Sequence, residues 1–308
     1  MDNRNHSVVT RFVFMSFSEF LEVQVSLFFL MLVLYLISLV GNVVIITITV
    51  VDPALGYPLY FFLRNLSFLE IGYTSSAIPE MLVNFLSKDK SISFLGCAMQ
   101  MYFFTFLGIT ECCLLAIMAY DRYVTICHPL RYRTMMSRMV LAWLGGLAHS
   151  AVQIGLLLQL PFCGPNVLDN FYCDVPQVIK LACTKTHLVE LQVVFNGGVL
   201  LVMIFIILLI SYAIILFKIR TYLTEGKHEA LSTCGTQITV VCLIFTPCIF
   251  IYARPFQKFT LDKVVSVIYT VITPMLNPMI YMLRNAEMKK AIRRLMRRVL
   301  CSKREINT

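Results

Sequence analysis

The chain has 308 residues, of which 58% are hydrophobic and only 14% are charged, and its net charge is +9. Soluble domains contain about 25% charged residues, so this composition excludes a soluble fold of the same length. The positive charge lies in predicted loops and in the C-terminal tail, which favours membrane orientation over binding to nucleic acid.

Seven apolar stretches are long enough to cross a bilayer as helices, which takes roughly 20 residues each. We therefore predict an all-α membrane protein, a seven-transmembrane helix bundle that forms a single domain over residues 1–308. Residues 1–22 precede the first span and lack the apolar core of a signal peptide, so the first span is expected to direct insertion. The predicted helices cover about residues 23–51, 58–86, 93–127, 139–161, 192–219, 233–253 and 262–284.

A basic segment follows the last predicted span. Residues 286–299 are short and amphipathic and contain six lysines and arginines. This pattern predicts a helix that lies on the membrane surface, within the tail 285–308, and contacts membrane lipids. Cys301 comes next, and either palmitoylation or a free thiol fits this position.

The distribution of lysine and arginine predicts the orientation. Sixteen of them fall on the side that holds the tail and nine on the opposite side. Because cytoplasmic loops are enriched in these residues, the tail is expected in the cytoplasm and residues 1–22 outside the cell. Asn5 begins an Asn-His-Ser tripeptide, which is a glycosylation acceptor on this outer side.

Four ionisable residues stand out within the predicted spans: Glu70, Glu111, Asp121 and Arg122. Charges in hydrocarbon are costly, so each is a functional candidate. Two carboxylates at close range, such as Glu70 and Glu111, favour either a bound cation or one shared proton. A purely structural hydrogen-bond network is the alternative for this pair, and a helix-end charge pair is the alternative for the other two.

Four cysteines lie at loop ends on the predicted outer side: Cys97, Cys163, Cys173 and Cys183. An oxidising compartment would pair them. Four cysteines allow three connectivities, so the sequence leaves the pairing open.

Several motifs occur in the order typical of one family. Residues 118–132 read MAYDRYVTICHPLRY at the end of the third predicted span. This segment resembles the rhodopsin-like receptor family and closely matches its olfactory (odorant) receptor branch. Glu70 departs from the pattern, since most members have aspartate there. Further matching segments are Gly41-Asn42, PLYFFLRNLS at 58–67, Ser211-Tyr212, ALSTC at 230–234 and PMLNPMIYMLRN at 274–285.

The resemblance implies an activation switch at the cytoplasmic end. In the family, the arginine matched by Arg122 is held by the acid matched by Asp121 and is released toward the G protein on activation. Arginine suits this task because it stays charged and its planar fork offers several donors. Pro278 breaks the seventh helix, which implies a hinge or simple curvature. The implied switch residues are Asp121, Arg122, Tyr123, Tyr212, Asn277, Pro278 and Tyr281.

The resemblance also implies two features that stabilise the bundle. One is a polar site linked to a sodium ion, formed by Asn42, Ser67, Glu70, Glu111 and Asn277. The other is a pair of disulfides, Cys97–Cys173 and Cys163–Cys183, that would hold the long outer loop as a lid. No other metal and no further cofactor is expected.

Family positions carried over to this chain predict a ligand site between the third, fifth, sixth and seventh helices. Phe104 stands where amine receptors have an aspartate, so we expect a neutral, hydrophobic ligand oriented by Thr105, Asn196 or Tyr252. Simple helix packing is the alternative for any one of these side chains. The predicted set is Met101, Phe104, Thr105, Gly108, Ile109, Cys112, Asn196, Gly197, Leu200, Phe245, Cys248, Ile249, Tyr252, Val267 and Thr270.

The resemblance therefore implies a multi-pass plasma-membrane receptor, not an enzyme. It would bind a small hydrophobic odorant and activate a stimulatory, olfactory-type G protein that raises cAMP. A rhodopsin-like receptor for a lipid or peptide is the nearest alternative. A secondary transporter is a more distant one, because the internal repeats that such proteins often show are not visible.

Overall fold

The computed structural model describes residues 9–16, 20–127, 135–162, 166–184, 186–222, 227–253 and 261–306. Helices dominate these residues because a bilayer-facing backbone must satisfy its own hydrogen bonds. The helices are α1 Leu21–Val51, α2 Pro58–Leu86, α3 Phe94–Cys127, α4 Met135–Leu158, α5 Val175–Ile179, α6 His187–Val193, α7 Leu200–Tyr222, α8 Lys227–Tyr252, α9 Asp262–Val267, α10 Thr273–Arg284 and α11 Ala286–Ile306.

Two of the predicted spans contain a π-helical segment. Val194–Val199 joins α6 to α7, and Ile268–Ile272 joins α9 to α10. Such bulges are frequent at functional sites because they turn side chains out of the regular helical register.

In the part of the chain that the structure describes, six helical segments are long and apolar enough to cross a membrane. The second predicted span, α2, is a 29-residue helix packed between α1 and α3, but it is not among the six. It carries Arg64, Glu70 and Glu80, which lower its hydropathy. The six segments are Leu21–Val51, Phe94–Thr125, Ser137–Leu158, Val189–Thr221, Ala230–Tyr252 and Asp262–Arg284.

Several helices extend beyond the apolar stretches from which they were predicted. The helix of the fourth predicted span, α4, begins at Met135 instead of residue 139. The helix of the sixth predicted span, α8, begins at Lys227 instead of residue 233. Polar residues continue these helices because an α-helix does not stop where its apolar residues stop. The fourth helix also ends earlier, at Leu158, and the terminal helix continues to Ile306.

Small residues allow α3 and α4 to approach closely, as is common between helices in membranes. A Cβ atom added to Gly146 would lie 2.2 Å from Thr110 Oγ1 and 3.1 Å from the carbonyl oxygen of Phe106. The neighbouring Gly145 has nothing within 4 Å of the same point. Glycine is therefore required at 146 by packing and not at 145.

A small three-stranded sheet lies at one end of the bundle. Its strands are β1 Arg11–Phe14, β2 Ser91–Ser93 and β3 Val167–Leu168. The strand β1 is central and pairs antiparallel with β2 and parallel with β3. Phe12 is almost fully buried between these strands and the start of α3. The N-terminal strand thus ties the loop after α4 to the bundle.

We predict that Gly146→Ala destabilises the protein by about 1–3 kcal/mol, because the new methyl group must push α3 and α4 apart. The matched control, Gly145→Ala, should be neutral or slightly stabilising, since alanine has the higher helix propensity. The apparent melting temperature of the solubilised protein measures both effects. Equal melting of the two variants would contradict the close packing at Gly146.

Candidate functional site

An apolar cavity of about 170 Å³ lies inside the bundle between α3, α4, α7, α8 and α10. Nine residues of the predicted ligand set line it. They are Phe104, Thr105, Gly108, Ile109, Cys112, Gly197, Leu200, Cys248 and Tyr252.

Five of the other six predicted ligand residues are not among those that line this cavity. Phe245 is fully buried and stacks on Phe205, with ring centroids 5.6 Å apart. Met101 packs in the cluster under the N-terminal strand, and Thr270 is buried. Ile249 and Val267 pack against the main core, and the side chain of Asn196 lies outside the described parts of the chain.

Several lining residues were absent from the predicted ligand set. Tyr73, Tyr269, His149 and Gln153 all face the cavity. The last two lie one turn apart on an otherwise apolar helix, and that spacing is a signal the sequence did contain. The tyrosines gave no such signal, because an aromatic residue in a span is compatible with packing anywhere in the core.

A hydrogen-bonded cluster closes the cavity on the side of the loop that follows α4. The Tyr252 hydroxyl donates to Asp174 Oδ1 at 3.0 Å. The Tyr172 hydroxyl contacts Ser266 Oγ at 2.8 Å and is also hydrogen-bonded to the Tyr269 hydroxyl. The loop is therefore bonded directly to α8, to α9 and to the π-helical segment Ile268–Ile272. Side chains of α8 and of the π-helical segment line the same cavity.

The loop is held on α3 by covalent and polar contacts. Cys97 and Cys173 form a disulfide, and Gln100 Oε1 accepts a hydrogen bond from the Cys173 amide at 2.7 Å. Cys183 is also disulfide-bonded. Its expected partner, Cys163, lies outside the described residues.

Asp174 follows the disulfide and is only 5% exposed. Burial raises the pKa of its carboxyl group from 3.8 to about 6, although the Tyr252 hydroxyl, the Val175 amide and Lys180 partly offset this rise. Desolvation dominates because a charged carboxylate loses more hydration than these partners return.

A second polar cluster lies deeper in the bundle. Asn277 Nδ2 donates to Glu70 Oε1 at 2.5 Å, and both residues are 1% exposed. Glu111 interacts electrostatically with Glu70 and also lines the apolar cavity. Asn42 and Ser67, the other members of the predicted site, are buried as well.

Three oxygen atoms of this cluster are buried without a hydrogen-bond partner among the described residues. They are Glu70 Oε2, Asn42 Oδ1 and Asn277 Oδ1. No group of three or more His, Cys, Asp or Glu side chains that could hold a metal occurs in the described chain, but amide oxygens do not count toward such a group. The cluster is thus an acceptor-rich site that a cation or a proton would satisfy.

Arg122 lies at the opposite end of α3 from the apolar cavity. It interacts electrostatically with Tyr212 and Tyr281, which are both buried. A cavity of about 760 Å³, here called the Arg122 cavity, opens beside it and is also lined by Asp121. Its other lining residues include Tyr57, Tyr60, Thr125, His228, Thr233, Arg284, Asn285 and Lys289.

Four predicted positions remain: Tyr123 and Pro278 of the switch, the glycosylation acceptor Asn5, and Cys301. Tyr123 is half-buried, and Lys218 Nζ lies 5.5 Å from the centre of its ring. Pro278 is buried inside α10 and packs against Gly41. Asn5 and the side chain of Cys301 lie outside the described residues.

A bundle of apolar helices that encloses a small cavity near one end and opens a polar cavity around an arginine at the other is the architecture of a membrane receptor. Comparison with known proteins identifies the family. A family model described as "Olfactory receptor" matches residues 31–303. Human olfactory receptor 4N5 is 51% identical over 96% of this chain and 98% of its own length. Human olfactory receptor 4Q3 is 50% identical over 96% of both chains, and mouse olfactory receptor 4M1 is 47% identical over 98% and 99%.

The chain therefore belongs to the olfactory receptor family, which confirms the resemblance seen in its motifs. It is an odorant-sensing G-protein-coupled receptor and a multi-pass protein of the plasma membrane. Members of this family are not enzymes, as predicted.

We predict that Asp174→Asn raises the apparent melting temperature at pH 7.5 and that the gain shrinks toward pH 5. The folded state binds the Asp174 proton more tightly than the unfolded state does, so stability falls as the pH rises from about 4 to 6 and stays lower above that range. At neutral pH the buried charge costs on the order of 3 kcal/mol. Asparagine removes this cost and keeps an oxygen that accepts from Tyr252.

The matched control is Asp89→Asn, an exposed acid whose side chain is 69% accessible. It should leave the pH profile unchanged. Identical profiles for wild type and Asp174→Asn between pH 5 and 7.5 would show that Asp174 does not titrate in this range.

Proposed function

We propose that this receptor binds small, mostly neutral, hydrophobic odorants in the apolar cavity and activates a stimulatory, olfactory-type G protein to raise cAMP. The cavity is the observation that carries the proposal. An engineered protein cavity of about 150 Å³ binds benzene, so a volume of about 170 Å³ suits a ligand of similar size.

The lining supports a neutral ligand. Phe104 stacks on Tyr73 with ring centroids 4.3 Å apart and also contacts Tyr172. Glu111 is the one carboxylate among the described lining residues, and it interacts with Glu70. No lysine or arginine lines the cavity in the described chain, so a negatively charged ligand would lack a cationic side chain to pair with.

The proposed topology is a single domain of seven spans with residues 1–22 outside the cell. We include α2 as a span because 29 residues extend about 43 Å, more than the hydrocarbon thickness. Its charged residues have protein partners, since Arg64 donates to the Thr49 carbonyl oxygen and Glu70 accepts from Asn277. The disulfide between Cys97 and Cys173 suits an extracellular loop.

We propose that α11 lies on the cytoplasmic surface of the membrane and contacts lipid. Its Met288 and Ala291 are buried against the bundle, while its lysines and arginines are mostly exposed. Arg294 pairs with Asp52 at 2.8 Å, which ties the helix to the turn between α1 and α2. The exposed basic residues would face anionic headgroups.

The Arg122 cavity is the proposed docking site for the G protein. Arg122 borders an opening of about 760 Å³ and lies near the buried Tyr212 and Tyr281. The Tyr281 hydroxyl has no hydrogen-bond partner among the described residues, so it is available to a rearranged Arg122 or a water molecule. Pro278 removes one backbone hydrogen bond from α10 and provides the hinge.

An odorant panel in cells that contain an olfactory-type stimulatory G protein tests this function, with cAMP as the readout. We expect at least one small neutral odorant to raise cAMP through the wild type. Arg122→Ala should abolish the response, because no other side chain can supply a charged planar donor at this position. An N-terminal epitope tag, stained on unpermeabilised cells, measures both surface expression and orientation.

The matched control is Arg138→Ala. Arg138 lies over the Tyr120 ring at 4.0 Å and is not among the residues that line the Arg122 cavity. It should keep the cAMP response. Normal signalling by a well-expressed Arg122→Ala variant would refute the switch, and a tag that stains only after permeabilisation would refute the orientation.

We also propose that a sodium ion binds between Glu70 and Glu111 and favours the inactive state. The three unpartnered oxygens of Glu70, Asn42 and Asn277 fit an ion that prefers oxygen ligands. Replacing extracellular sodium with a large organic cation should raise basal cAMP in the wild type. Glu111→Gln should remove this dependence, whereas Glu80→Gln, on the same helix as Glu70 but outside the cluster, should keep it. A wild type that does not respond to sodium favours a structural hydrogen-bond network instead.

A further inference from the structure

The wall of the apolar cavity formed by α4 carries a polar pair that the proposed activity does not use. His149 and Gln153 both line the cavity. They are four residues apart on one helix, so their side chains lie on one face, with Cβ atoms about 5–6 Å apart. Val152, between them in sequence, does not line the cavity and is 58% exposed.

The imidazole of His149 is unpartnered. Both ring nitrogens are buried, and neither has a hydrogen-bond partner among the described residues. Buried polar atoms are nearly always hydrogen-bonded, because an unmet donor or acceptor costs the fold free energy. The two nitrogens therefore point to a partner that enters the cavity from outside the protein.

Three other polar side chains of the lining, those of Tyr252, Tyr269 and Thr273, are already engaged. Tyr252 donates to Asp174, and Tyr269 is hydrogen-bonded to Tyr172. The Thr273 hydroxyl donates to the Ile268 carbonyl oxygen at 3.1 Å. A ligand would have to break one of these bonds to use the tyrosines or the threonine, whereas it can bind His149 without such a loss.

The chemistry of the pair selects one kind of ligand group. A neutral imidazole offers one donor and one acceptor nitrogen, and the Gln153 amide also offers both. A hydroxyl group can donate to one side chain and accept from the other at the same time. A ketone or ether oxygen can only accept, so it would leave both the acceptor nitrogen of His149 and the Gln153 amide oxygen without a donor, whereas an alcohol donates to one of them.

We propose that His149 and Gln153 form a hydroxyl-binding subsite, and that this receptor prefers small aliphatic alcohols to ethers and ketones with the same number of atoms. The inference rests on the proposed function, since it takes the apolar cavity as the odorant site. The hydrocarbon part of the alcohol packs against Ile109, Leu201 and Ile204 on the neighbouring helices.

A binding measurement on the purified full-length receptor tests the subsite without any signalling partner. The probes are 1-heptanol, methyl hexyl ether and 2-heptanone, which all have eight heavy atoms. Ligands that bind the folded state stabilise it by RT ln(1 + [L]/Kd), so the rise of the melting temperature with ligand concentration reports the Kd. We expect 1-heptanol to stabilise the wild type at about tenfold lower concentration than the other two, which is the discrimination of one buried hydrogen bond.

Two variants remove the hydrogen bonds and keep most of the side-chain volume: His149→Leu and Gln153→Met. Each should raise the half-saturating concentration of 1-heptanol about tenfold and leave that of methyl hexyl ether unchanged. Val152→Ala is the matched control on the same helix and should change neither. If His149→Leu does not fold, Gln153→Met carries the test alone.

Two results would overturn the subsite. One is equal stabilisation of the wild type by the alcohol and the ether, or by neither. The other is a half-saturating concentration of 1-heptanol that, in the folded variants, stays within about twofold of the wild-type value. Stabilisation by 1-heptanol that depends on His149, together with no rise of cAMP in cells, would support the subsite and refute the proposed coupling, so the two ideas fail separately.

Discussion

The cost of leaving a polar group unpaired in an apolar interior governs this structure. That cost keeps the backbone of the membrane-length segments helical, and it gives Arg64 and Gln100 partners on neighbouring elements. Some of the exceptions among the described residues carry information. Unpartnered buried atoms occur at several places, Ser150 and Gln237 among them, and three of these places are His149 in the apolar cavity, Glu70 with its amide neighbours, and the Tyr281 hydroxyl near Arg122. Each of these three places is one where the receptor is proposed to take up something else: an odorant, a cation, or a rearranged arginine.

The outer loop is built as a rigid cover over the apolar cavity. The disulfide of Cys173 fixes its middle to α3, and the next residue, Asp174, receives a hydrogen bond from Tyr252 on α8. A ligand that shifts Tyr252 must also change the environment of a buried carboxylate whose pKa is already raised by desolvation. Because α8 contacts both the loop and the cavity, an odorant bound in the cavity as proposed would act directly on the position of α8.

The sequence predicted the helices well because spans of apolar residues leave few alternatives in a bilayer. It placed α2 at residues 58–86, as observed, and it brought Glu70 and Asn277 together through family motifs. It did less well for the cavity. Family positions suggested Phe245 as a lining residue, but its ring stacks on Phe205 inside the core. Hydropathy cannot show which face of an apolar helix meets a cavity and which meets a neighbouring helix, so His149 and Gln153 were not assigned to the ligand site.

The apolar cavity and the polar cluster around Glu70 share a residue, Glu111. Glu111 lines the apolar cavity and also interacts with Glu70, whose other oxygen accepts from Asn277. Pro274 lines the same cavity one turn before Asn277, and its carbonyl oxygen accepts a hydrogen bond from Ser38 on α1. In the proposed mechanism, an odorant that presses on this turn would displace the segment that holds Asn277 and the proline that follows it. Because packed interiors transmit small displacements rather than absorb them, the ligand needs no long relay to reach the switch.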